Sequence, residues 1–174
     1  MKNIFYGFLL VFLSFDFTIG RSTINLIPDF IGYILIIKGI DQLISESDNF
    51  SKSRSLAQGM AIYSGIIFLM DLLGITGSLG NLAIILGIIS TIVSLYITYN
   101  LIAGVKDIEK NHGTGLNGKE LYSLWKAMAI LQGISYIILI IPILSIPAII
   151  ANLVINIIFL LKFYGAANQY EHSF

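Results

Sequence analysis

Cysteine is absent from all 174 residues. Its absence removes disulfides, thiolate metal sites and thiol redox chemistry together. Charge is nearly as scarce. Only 11% of the residues are Asp, Glu, Lys or Arg, where soluble domains carry roughly 25%. Ten acidic and ten basic side chains cancel, and without a basic excess nothing points to a nucleic-acid partner. Histidine occurs twice, as His112 and His172. Neither stands in a recognisable metal-ligand or nucleophile arrangement, so the reading is of a protein that is not an enzyme and uses no metal or cofactor.

What fills the chain instead is apolar: 56% of the residues are hydrophobic and the mean hydropathy is +0.87. A chain this short cannot bury so much apolar area and still cover its own surface. The expectation is one integral membrane domain over 1–174 with the lipid bilayer as its first partner. The fold class read from the sequence is all-α, a polytopic bundle of six transmembrane helices in three hairpins. A crossing needs about 20 residues, and six stretches qualify, near 3–20, 24–44, 59–79, 81–105, 126–145 and 147–167. The connections alternate. GRST, ITGSLG and PILSIP are short, whereas SESDNFSKSRSLAQ and KDIEKNHGTGLNGKE are longer and polar.

Nine of the ten basic side chains fall on the side that holds both ends of the chain and the longer connections; only Arg21 falls on the other. That bias places both termini in the cytoplasm of a bacterial plasma membrane. Tyr6, Tyr63, Tyr99, Tyr122, Trp125 and Tyr164 are expected near the cytoplasmic ends, as an interfacial belt. The apolar start after Lys2 lacks a small-residue cleavage site, so it is read as a retained first helix. The hairpins share weak internal likeness. Ile-x-x-Gly recurs at Gly7, Gly65 and Gly133, and Asn-Leu at Asn25, Asn81 and Asn152. Repeats of that kind build many transporter folds.

The stretch Ile24 to Leu43 organises the rest. Asn25, Gly32 and Gly39 fall seven residues apart, on one stripe with Asp29 and Ile36, the pattern of a helix packed closely on a neighbour within a membrane. Carboxylates within spans cost about 2.5–3.5 kcal/mol on insertion scales and therefore need a role or a partner. Asp16, Asp29 and Asp71 all fall on the outer half, together with Arg21. They form the candidate site, an outward polar pocket for a cation or small polar solute. Pro28 followed by Asp29 also reads as an ordinary helix start, with the carboxylate favoured by the helix dipole. Asn152 and Asn156, four residues apart on one helix face, are candidate lining residues as well as candidate interhelical glue. Gly87, Ser90, Thr91, Ser94 and Thr98 make a small polar stripe that close helix contact accounts for. Gly113, Gly115, Gly118 and Lys119 spell a phosphate-loop pattern, but such a loop works only between a strand and a helix. Here Asn117 and Glu120 read as a helix cap instead.

The run Asn25-Leu26-Ile27-Pro28-Asp29-Phe30-Ile31-Gly32-Tyr33, preceded by Phe15-Asp16, resembles a signature of small bacterial multi-pass membrane proteins. That resemblance implies a fold and no activity. Size and helix count are also similar to the substrate-binding subunits of energy-coupling-factor transporters, although the first helix lacks their Ala-x-x-x-Ala docking pattern. Binding or transport of a small solute is the expected function. The alternative is a non-enzymatic membrane partner, such as an immunity, assembly or regulatory subunit. A partner membrane subunit or a homo-oligomer is compatible with either.

Overall fold

The computed structural model describes residues 1–13, 16–19, 22–25, 28–138 and 145–173, with the backbone alone described at 16–19, 22–25, 138 and 145. Helix α1 (Lys2–Phe12) is followed by strands β1 (Asp16–Ile19) and β2 (Ser22–Asn25). The strands pair antiparallel, with Asp16 opposite Asn25 and Ile19 opposite Ser22. β-Branched Thr18, Ile19, Thr23 and Ile24 suit that extended ladder better than a helix. Pro28, which has no amide to donate, then stands extended before helix α2 (Asp29–Leu43). The expected helices over 3–20 and 24–44 are therefore corrected. Each is a shorter helix joined to one strand, and Ser22 and Thr23 of the expected GRST connection belong to β2.

Helix α3 (Asp48–Leu72) starts well before the expected residue 59, because the Ser47 hydroxyl accepts from the Asn49 amide at 3.1 Å and caps it. A short 3-10 turn (Thr76–Leu79) leads to helix α4 (Asn81–His112). This helix runs past the expected end at 105 and stops where Gly113 adopts φ +67°, a conformation that costs glycine little. Helices α5 (Gly118–Ile138) and α6 (Ser145–Ser173) complete the chain. The PILSIP connection lies largely outside the described residues.

The described residues are thus essentially helical, forming six α-helices. Among the described residues three of them, not six, are long and apolar enough to cross a membrane: Asp48–Leu72, Asn81–His112 and Ile146–Ser173. Helix α1 has 11 residues and α2 has 15. At 1.5 Å per residue these reach about 16 and 22 Å, short of the roughly 30 Å hydrocarbon core. Helix α5 is diluted by Lys119, Glu120, Lys126 and Gln132.

Each helix packs on the next, and α6 returns to α1, closing a ring; β2 rests on α3. Glycines permit the tightest contact. A Cβ placed on Gly7 would lie 2.6 Å from the Gly32 carbonyl oxygen, and one on Gly39 would lie 2.7 Å from the Ile4 amide, so α1 and α2 meet backbone to backbone. The ring closes through phenyl groups: Phe8 meets Phe159 and Phe163 of α6 edge-on, with centroids at 5.5 and 5.2 Å. The glycines of the three Ile-x-x-Gly segments differ in their surroundings. Gly7 is wedged against α2, Gly65 touches only the Phe30 ring at 3.8 Å, and Gly133 has open space.

The apolar core fills the end of the ring that holds both termini. Buried side chains run from Phe50 to Met60 on α3, from Ile97 to Ile108 on α4 and from Phe159 to Ala167 on α6. The described ion pairs also lie at that end: Lys2 with Glu171, Arg54 with Asp41, His112 with Glu46 and Lys162 with Glu120. The other half of each helix shows its isoleucines and leucines outward, as at Ile62, Ile137 and Ile149. An apolar outer wall of this kind suits lipid rather than water.

Candidate functional site

Beyond the level of the core, the inner faces turn polar and enclose a cavity of about 300 Å³, at the small end of ligand-site volumes. All six helices supply it. Val11 and Phe12 come from α1, Asp29 and Tyr33 from α2, and Met60, Tyr63 and Ser64 from α3. Helix α4 contributes Ser90, Thr91 and Ser94, α5 contributes Gln132, and α6 contributes Asn156. The break before α2 places Asp29 here, since the chain changes from strand to helix beside the cavity. Irregular backbone at membrane depth is tolerated where it lines such a space.

The wall presents acceptors. The Ser64 hydroxyl donates to the Met60 carbonyl at 2.7 Å, and the Ser90 hydroxyl donates to the Gly87 carbonyl at 3.0 Å. Each hydroxyl has used its proton on its own helix, which leaves its oxygen as an acceptor. Thr91 bonds Tyr136 at 2.7 Å. The Asn156 amide oxygen is buried and has no hydrogen-bond partner among the described residues. Asp29 adds a carboxylate, and the described lining includes no Lys, Arg or His. Such a wall complements a guest rich in N–H donors or carrying positive charge.

A smaller cavity of about 180 Å³ adjoins the first. Pro28, Asp29, Ile67, Phe68 and Asp71 line it, and it shares Tyr63, Ser64 and Ser90 with its neighbour. Of the residues singled out in the sequence, Asp29 and Asn156 therefore line the central cavity, and Asp71 joins Asp29 in the adjoining one. Asn152 has a structural tie: its amide donates to Ser135 Oγ at 2.7 Å and to the Ala148 carbonyl at 2.9 Å, fastening α6 to α5. The Asp16 side chain and Arg21 lie outside the described residues. Among the described residues no three of His, Asp and Glu converge on a point where a metal could sit.

Sequence reasoning missed Tyr33, Tyr63, Ser64 and Gln132. Tyr63 is corrected from the interfacial belt to the cavity wall, because α3 begins early enough to set it past the helix middle. The Ser90, Thr91 and Ser94 stripe lines the cavity rather than serving helix contact alone. The glycine-rich loop after α4 already has its anion. Glu109 accepts from the amides of Leu116 at 2.6 Å and Gly118 at 3.0 Å. A side chain on Gly118 would strike that carboxylate. Asn117, expected as a side-chain cap, takes φ +60°, and it is Glu109 that satisfies these amides.

Comparison with family models, with curated proteins and with solved structures returns no match for this chain.

Proposed function

We propose that this chain is a solute-binding or transport protein of the bacterial plasma membrane, and that its central cavity takes a small cationic or donor-rich solute. The single observation that carries the reading is the acceptor-rich wall: Asp29, Asn156 and hydroxyls already committed to their own helices, contributed around one space.

Six crossings follow if the first two are composite and α5, 21 residues long, crosses as well despite its polar residues. Helix α1 covers about 16 Å and strand β1 about 13 Å, which together match the roughly 30 Å core. Discontinuous segments that bring a helix end to a site near mid-membrane are a recurrent feature of transporters. Both termini then face the cytoplasm, with the basic side chains beside them.

The test uses purified protein in lipid nanodiscs and four probes: methylammonium, guanidinium, acetate and glucose. The reading expects methylammonium or guanidinium to raise the melting temperature in a saturable way, since a ligand at a hundredfold excess over its Kd adds about 2.7 kcal/mol. Stabilisation by acetate alone, or by none of the four, would overturn it. The second result would favour the membrane-partner alternative.

A further inference from the structure

A second space lies beside the polar cavity. Between α3 and α4 an apolar crevice of about 320 Å³ is walled by Leu56, Leu86, Ile89 and Val93, with Gly59 at its edge. It shares Met60, Tyr63 and Ser90 with the central cavity. Its mouth is on the lipid-facing wall, where Ile62, Ile66, Ile89 and Ile92 are each more than half exposed. Helix α3 leaves the gap because it carries glycine there: a Cβ on Gly59 would have no atom within 4 Å.

Resting on the cavity reading above, we infer that the solute is a single-chain lipophilic amine that enters sideways from the bilayer. Its ammonium head lodges among Asp29, Asn156 and the serine hydroxyls, and its hydrocarbon chain lies in the α3–α4 crevice. The two spaces have the two halves of that chemistry. The polar one accepts hydrogen bonds and holds a carboxylate, and the apolar one opens where an alkyl chain already resides. Tyr63 and Ser90 line both spaces, and the Tyr63 side chain is the group such a ligand must pass. A phospholipid fits poorly, since its phosphate would meet the Asp29 carboxylate as a like charge.

The experiment is photolabelling in nanodiscs with dodecylamine that carries a mid-chain diazirine, followed by peptide mapping. Label is expected to concentrate on residues 55–60 and 86–93 and to be competed by plain dodecylamine. Asp29→Asn should lower the crevice labelling about tenfold, the loss of one charge-assisted hydrogen bond. Gly59→Leu narrows the crevice from a position where its Cβ meets no atom within 4 Å. It should abolish the labelling while the stabilisation by methylammonium persists. Label spread evenly over the lipid-facing wall would overturn the inference, as would equal crevice labelling by a diazirine phospholipid. If methylammonium still stabilises the protein in either case, only the lateral entry fails. If methylammonium does nothing, the cavity reading fails as well.

Discussion

Gly7→Ala is expected to destabilise the folded protein by about 1–3 kcal/mol, and Gly7→Leu to prevent α1 from docking. A methyl group on Gly7 would lie 2.5 Å from Ile36 Cγ1, 2.6 Å from the Gly32 carbonyl oxygen and 2.9 Å from the Ile36 amide. Two of those three atoms are backbone and cannot swing away, so the helices must part. In lipid no hydrophobic force pulls them back together, because association there depends on close van der Waals contact and interhelical bonds. The same separation would disturb Gly39 against Ile4 one level down and loosen the phenyl groups that close α1 on α6. Gly59→Ala is the control. It adds the same methyl group to a helix where nothing stands within 4 Å, and helix propensity favours alanine by about 1 kcal/mol. Thermal unfolding of the purified variants should thus move in opposite directions. Equal effects would mean that α1 and α2 do not touch as described.

Asp29→Asn should remove the response to cationic probes while leaving the protein folded. The substitution keeps the shape of the side chain and its place in the first turn of α2, and weakens the dipole interaction by about 0.3–1 kcal/mol. Binding loses more. Hydrogen bonds to charged groups are worth about 1.5–3 kcal/mol, which corresponds to roughly 10- to 100-fold in affinity. The methylammonium titration of the variant should shift to higher concentration by that factor, and Asp29→Glu should recover part of it. Asp71→Asn is the informative neighbour. Asp71 shares only the smaller cavity with Asp29, so its loss should affect affinity less. A variant Asp29→Asn that still binds methylammonium as before would move the charge recognition elsewhere.

The apolar runs and the polar breaks between them were legible because they are properties of composition, and they place six helices in the right order. The hairpin was not read, although Gly20-Arg21 between Thr18-Ile19 and Ser22-Thr23 is a recognised two-residue link between strand-forming runs. A continuous hydrophobic stretch outweighed it. The early start of α3 was also available in Ser47-Asp48, but the polar turns that follow look like a loop until Asp107 and Asp41 supply partners to Asn49 and Arg54. At the site, Asp29 and Asn156 were recognisable because a carboxylate or amide in an apolar run is costly by itself. Tyr33, Tyr63 and Ser64 were not, since hydroxyls are common on any helix face. Only closure of the ring, through Phe8 on Phe159 and Phe163, decides which of those faces turn inward.

The absence of native cysteine makes one measurement especially direct. Cysteines placed singly at Ser64, Ser94 and Asn156, and at Ile62, Ile137 and Ile149, can be exposed to a small membrane-impermeant thiol reagent in intact nanodiscs. The account predicts reaction at the first three, which lie on three different helices but line one space. It predicts little or none at the second three, although these are more than half exposed in the protein alone and lie against lipid in the membrane. Reaction at the isoleucine positions with silence at Ser64, Ser94 and Asn156 would contradict a polar cavity enclosed by a ring of membrane helices.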